Sequence, residues 1–187
     1  VSSGVKIRFL YFNWALDFTR RDKIYRNYRH DGAYYCVSPW ALTWDNENYY
    51  LIAYDPSAPE GSRIRNYRVD KMENIQLTEE KREGAQHFRG SFSPASYSRK
   101  MFGMFSGHEE IVRLRCRKDA INILRDRFGS ELMMQPDDST HFFASVTVAV
   151  SPQFYAWVVG LNGAVRIVAP QHVCDSFRKL LLEQLEE

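Results

Sequence analysis

The chain has 187 residues, 44% of them apolar, with a formal net charge of +2. That suits one large or two small globular domains with a real core, and it is too mild a charge for a nucleic-acid coat protein. No apolar run approaches the roughly 20 residues that span a bilayer, and no charged-then-apolar leader is present, so neither a membrane partner nor secretion is expected.

The chain opens at Val1 without a Met, which we read as a processed or truncated start. Val5, Ile7, Phe9 and Tyr11 alternate with Lys6 and Arg8, the period-two pattern of a strand with one buried face. Residues 17–29 are polar, with Thr19-Arg20-Arg21-Asp22-Lys23 at the crest, and read as a hairpin extension or a long loop. His30-Asp31-Gly32 is a turn signal. Tyr34 to Val37 is β-prone until Ser38-Pro39, where the missing N–H marks an edge or a strand break. Trp40–Trp44 and Tyr49–Tyr54 flank Asp45-Asn46-Glu47-Asn48 as a hairpin. Pro56, Pro59 and Gly61 make a further turn before strands at 63–69 and 72–77. Short strands, close turns and no long helix predict a small antiparallel barrel.

Residues 78–100 change character, with a charged Glu79–Glu83 run and a Ser-rich 91–98 stretch, and read as a linker with a helical turn near 93–101. Beyond it, alternation predicts a strand over 111–116. Ile121, Leu124 and Phe128 predict a helix over 118–128, stopped by Gly129. Strands follow at 132–135 and 142–150. Ser151-Pro152 is a helix start, cap followed by proline, with the helix reaching Leu161. A strand at 165–168 and a helix after Pro170, striped by Val173, Phe177, Leu180, Leu181 and Leu185, close the chain. The order β-α-β-β-α-β plus a helix is that of a ferredoxin-like unit.

Residues 34–72, with Ser38-Pro39, Tyr49-Tyr50-Leu51 and Arg65-Asn66-Tyr67-Arg68-Val69-Asp70-Lys71-Met72, resemble the WYL domain of bacterial transcription regulators. Tyr49 stands where the family's name-giving triplet has Trp. Phe102-Gly103-Met104-Phe105, Asp126-Arg127-Phe128-Gly129 and Ser151–Trp157 are similar to the extension that follows many WYL domains. The resemblance implies an Sm/SH3-like antiparallel β-barrel followed by the ferredoxin-like βαββαβ domain with its C-terminal helix, an α+β protein. The expected divisions are a sensor barrel at 1–78, a linker at 79–107 and a C-terminal extension at 108–187. It also implies an anionic effector, a nucleotide or single-stranded nucleic acid, and homodimers. Duplex DNA would be reached only through an N-terminal helix-turn-helix that is missing here, since no helix pair with a basic recognition helix is found.

Arg63, Arg65, Arg68 and Lys71 are the cations of the resembling segment. Arginine offers a planar fork for phosphate or carboxylate. Strand alternation puts Arg63, Arg65 and Lys71 on one face and Arg68 on the other. Surface pairing with Asp70 or Glu73 is the plainer reading on the residues alone. The resemblance assigns Arg65 and Arg68, and with them Lys71, to the ligand-sensing surface. Tyr35 and Tyr50 are the candidate aromatic faces beside them, each equally able to be core.

Catalytic and metal signals are weak. Ser106 is one place late for a nucleophile elbow, and no phosphate loop occurs. Cys36, Cys116 and Cys174 are far apart with no CxxC, and His108-Glu109-Glu110 lacks a second His at helical spacing. No catalytic residue, metal or cofactor is expected, and the compartment is the reducing cytoplasm. The alternatives are a pure interaction or dimerisation module and, less favoured, an enzyme acting on nucleic acid.

Overall fold

A computed structural model describes residues 1–21, 23–88, 92–105 and 107–186; Asp22, Ser91 and Ser106, which the sequence reading used, lie outside the described residues. The chain divides into two compact units, Val1–Pro94 and Ala95–Glu187.

The first unit is built on β1 (Val5–Leu16), whose alternation buries Ile7, Phe9 and Tyr11. Its first half lies between β3 (Tyr35–Asp45) and β6 (Met72–Lys81), and its far half pairs with β2 (Ile24–Tyr28). The polar 17–29 segment is therefore a hairpin extension, not a long loop. Arg26 of β2 covers the rings of Phe12 and Trp14 on β1, which binds this otherwise exposed ribbon to itself. The sheet continues through β4 (Asn48–Tyr54) and β5 (Ile64–Arg68) in the order β2-β1-β3-β4-β5, with β6 on β1. It is a curled antiparallel sheet, a half-barrel, around Phe9, Val37, Leu51, Ala53, Tyr67 and Met72.

Pro39 neither ends β3 nor lies on a free edge: it sits opposite Ala53, beside a register shift, just where β3 leaves β1 for β4. A bulge at that change of partner tolerates the missing donor. The β3–β4 turn has Asn46 and Glu47 at φ 48 and 62, the twin left-handed residues of a tight hairpin. After β6, Gly84 (φ 83) lets the backbone pass the ring of Tyr54 so closely that a Cβ would stand 2.4 Å from the ring carbon Cγ.

The second unit begins after α1 (Pro94–Lys100) with β7 (His108–Arg117), α2 (Ile121–Phe128), β8 (Met133–Pro136), β9 (His141–Val150), α3 (Pro152–Gly160), β10 (Val165–Ala169) and α4 (Gln171–Glu183). Its antiparallel sheet runs β10-β7-β9-β8, the ferredoxin-like arrangement. Residues 118–120 form a 3-10 turn, so α2 starts later than the spacing predicts. Ser151 caps α3 by accepting from the Phe154 amide at 3.3 Å, with Pro152 in the first turn. Val112, Leu114 and Val146 of the sheet, Leu124 of α2, Phe154 of α3 and Val173 of α4 share one core.

Candidate functional site

The candidate residues of the first unit are distributed by sheet alternation. On β5, Arg68 sits opposite Tyr50 of β4, and Arg65 opposite Ala53. Cross-strand partners share a face, so Arg68 and Tyr50 stand together, while Arg65 shares the core-side face with Tyr67 and Ala53. Lys71 does not follow this alternation, because the strand stops at Arg68 and residues 69–71 turn as a 3-10 helix. That corrects its expected place on the face of Arg65.

Arg68 holds a local network. Its Nε and Nη2 donate to the two carboxylate oxygens of Asp70 at 3.0 and 2.8 Å, a bidentate fork. Its backbone amide donates to the Tyr11 hydroxyl at 3.1 Å. The Arg68 fork holds the Asp70 carboxyl below the usual carboxylate range, against the opposing effect of burial. Any anion approaching Arg68 competes with Asp70.

Arg65 differs. It is half-buried and has no hydrogen bond or ion pair among the described residues. Its charge, with that of Arg29, acts on the Tyr35 phenol, whose pKa burial pushes up. Tyr35 is itself buried. It stacks on Phe9 with centroids 5.5 Å apart, and on its other side His30 stacks at 4.5 Å. Tyr50 is buried too, and desolvation raises its phenol against the nearby Arg68. Neither tyrosine offers the open ring face that the sequence reading sought beside the arginines. What both bring is a phenol close to a guanidinium.

Arg29 and His30 are participants that sequence reasoning missed. Arg29 acts on both Tyr11 and Tyr35, and so links the Arg68 side to the Arg65 side. His30, Asp31 and Gly32 have successive φ of 52, 52 and 80, a left-handed run that sets the imidazole over Tyr35. Their sequence reads only as a turn, and nothing in its spacing announces the stack.

Among the described residues no group of three or more His, Cys, Asp or Glu could hold a metal, and no helix is long and apolar enough to cross a membrane.

Comparison with known proteins gives two family matches, the WYL domain over residues 3–77 and the WCX domain over residues 108–185. Comparison with curated proteins gives no match. Among solved structures, proteasome accessory factor B/C (PafBC) of Arthrobacter aurescens is similar at 20% identity and TM-score 0.40, over 96% of this chain and 24% of that one. A CRISPR Cas-related protein is similar at 13% identity and TM-score 0.50, over 98% of this chain and 48% of that one. The chain thus spans less than half the length of either structure. With a WYL domain followed by a WCX domain, it belongs to the family of WYL-domain-containing transcriptional regulators.

Proposed function

We propose that this chain is the effector-sensing region of a cytoplasmic transcription regulator, a binding protein without catalytic activity. The first unit takes an anionic ligand, a nucleotide or single-stranded nucleic acid, through Arg65, Arg68 and Lys71. Tyr35 and Tyr50 supply phenol groups at the same place, and Arg29 and His30 complete it. Binding is transmitted to a DNA-binding domain elsewhere in the regulator, which works as a homodimer. The division into a sensor at 1–78, a linker at 79–107 and an extension at 108–187 belongs to this reading.

The observation that carries it is Arg65. A half-buried guanidinium with no acidic partner, beside a second arginine, carries a desolvation cost that a bound anion would offset. The test is calorimetric titration of the whole chain with nucleotides and short oligonucleotides, repeated with Arg65→Ala. Binding that weakens tenfold or more in a correctly folded variant supports the reading. Equal binding by both proteins, or none by the wild type, leaves a pure interaction module as the better account.

A further inference from the structure

The sheet of the second unit has one face packed and one bare. Val112, Leu114 and Cys116 of β7 point into the core shared with the helices, so the alternate residues Arg113, Arg115 and Arg117 point the other way. Phe143 of β9 lies opposite Arg115, and Arg166 of β10 flanks Arg115 on its other side. No helix belongs to this face: Ile111 at its end is 66% exposed.

The arginines of the bare face are not equivalent. Arg115 is neutralised by Asp137 at 2.6 Å and Asp138 at 2.7 Å, and Arg117 by Asp119 at 2.6 Å. Arg113 instead lies flat over the Phe143 ring, 4.1 Å from its centroid, and donates to the Gln135 side-chain carbonyl at 3.3 Å. Arg166, exposed, has no partner among the described residues. Two cations without carboxylates therefore remain, one of them already half of a planar stack.

We propose that this bare face, centred on the Arg113–Phe143 stack and Arg166, binds single-stranded nucleic acid. A duplex hides its base faces, whereas an unpaired base stacks on an aromatic ring or on a guanidinium plane. Arg113 backed by Phe143 presents such a plane at the centre of a four-stranded antiparallel sheet. Arg166, one strand over, meets the backbone phosphate. An acidic peptide would satisfy the charges and leave the stacked plane unused. The surface consists entirely of second-unit residues and does not depend on the ligand proposed for Arg65 and Arg68.

The test uses the whole chain and a fluorescent oligothymidylate carrying 4-thiothymidine. Ultraviolet crosslinks to the wild type are expected in peptides from β7 and β9. An Arg113→Ala/Arg166→Ala variant should bind at least about fivefold more weakly, with a log–log salt slope shallower by about 1.4, from roughly 0.7 per lost single-strand phosphate contact. Phe143→Leu, which keeps an apolar side chain but removes the ring, should weaken binding without changing the slope. Arg68→Ala should leave these differences in place. Crosslinks confined to the first unit, or unchanged affinity and slope in the double variant, would overturn the proposal. So would a double variant that changes the mass of the particle in solution but not oligonucleotide binding, since the face would then be covered by a second copy.

Discussion

Tyr67 donates its phenolic proton to Asp55 Oδ2 at 2.7 Å inside the first unit, and both residues are buried. The other carboxylate oxygen of Asp55 accepts from the Ser57 amide and hydroxyl at 3.0 and 2.6 Å. Burial, reinforced by the bond to Asp55, holds the phenol far above the ordinary tyrosine range, so it acts as a donor at any working pH. Tyr67→Phe keeps the ring contacts and strands one buried carboxylate oxygen. It should destabilise the first unit by about 1–3 kcal/mol, read from urea unfolding. An unchanged midpoint would mean that solvent reaches Asp55.

Gly84→Ala should be costlier than an ordinary surface change. The backbone is left-handed there, and the added methyl would meet the buried Tyr54 ring at 2.4 Å. Loss of about 2 kcal/mol or more is expected by the same unfolding measurement, from backbone strain and overpacking together. A neutral substitution would show that the segment after β6 is not held against Tyr54.

The cysteines should separate cleanly by reactivity. Cys116 is fully buried, and burial pushes its thiol up to about 12, while Cys36 is exposed. Iodoacetamide at pH 8 should label Cys36 in the native protein and reach Cys116 only after unfolding. A thiol whose pKa is raised by folding stabilises the fold fully below its unfolded pKa of about 8.5. That contribution is then lost as pH rises towards 12. Cys116→Val should therefore flatten the fall in stability over this window, and native labelling of Cys116 would contradict its burial.

Asp70 competes with any ligand of Arg68, because its carboxylate already occupies two of the guanidinium donors. Asp70→Asn should tighten anion binding roughly two- to fivefold, the equivalent of the 0.2–1 kcal/mol of a partly exposed pair. The measurement is nucleotide titration at fixed salt. Weaker binding by this variant would show that Asp70 positions Arg68 for the ligand rather than blocking it.

The elements that follow from local periodicity were legible in the sequence. β1 alternates over its buried half, Ser151-Pro152 marks the start of α3, and the order of elements from β7 to α4 gave the ferredoxin-like unit. What local pattern cannot carry is the identity of the partner strand. Pro39 looked like a terminus because its missing donor was legible, whereas the bulge and change of partner that tolerate it depend on β1 and β4. At the candidate site, the cations of 65–71 were visible as a cluster, but Lys71 left the strand register once β5 stopped at Arg68. The burial of Tyr35 depends on Phe9 and His30, which approach it from segments that the sequence shows only as a strand and a turn.

The central claim is that Arg65 and Arg68 hold an anion. It is tested most directly by salt titration of single-stranded DNA binding, with Arg113→Ala/Arg166→Ala as the background so that the second unit's face does not contribute. Relative to that background, Arg65→Ala and Arg68→Ala should each weaken binding and make the log–log salt slope shallower by about 0.7. Arg68→Lys should recover only part of the loss, because it keeps the charge and not the fork. Unchanged affinity and slope in folded Arg65→Ala and Arg68→Ala proteins would contradict the account.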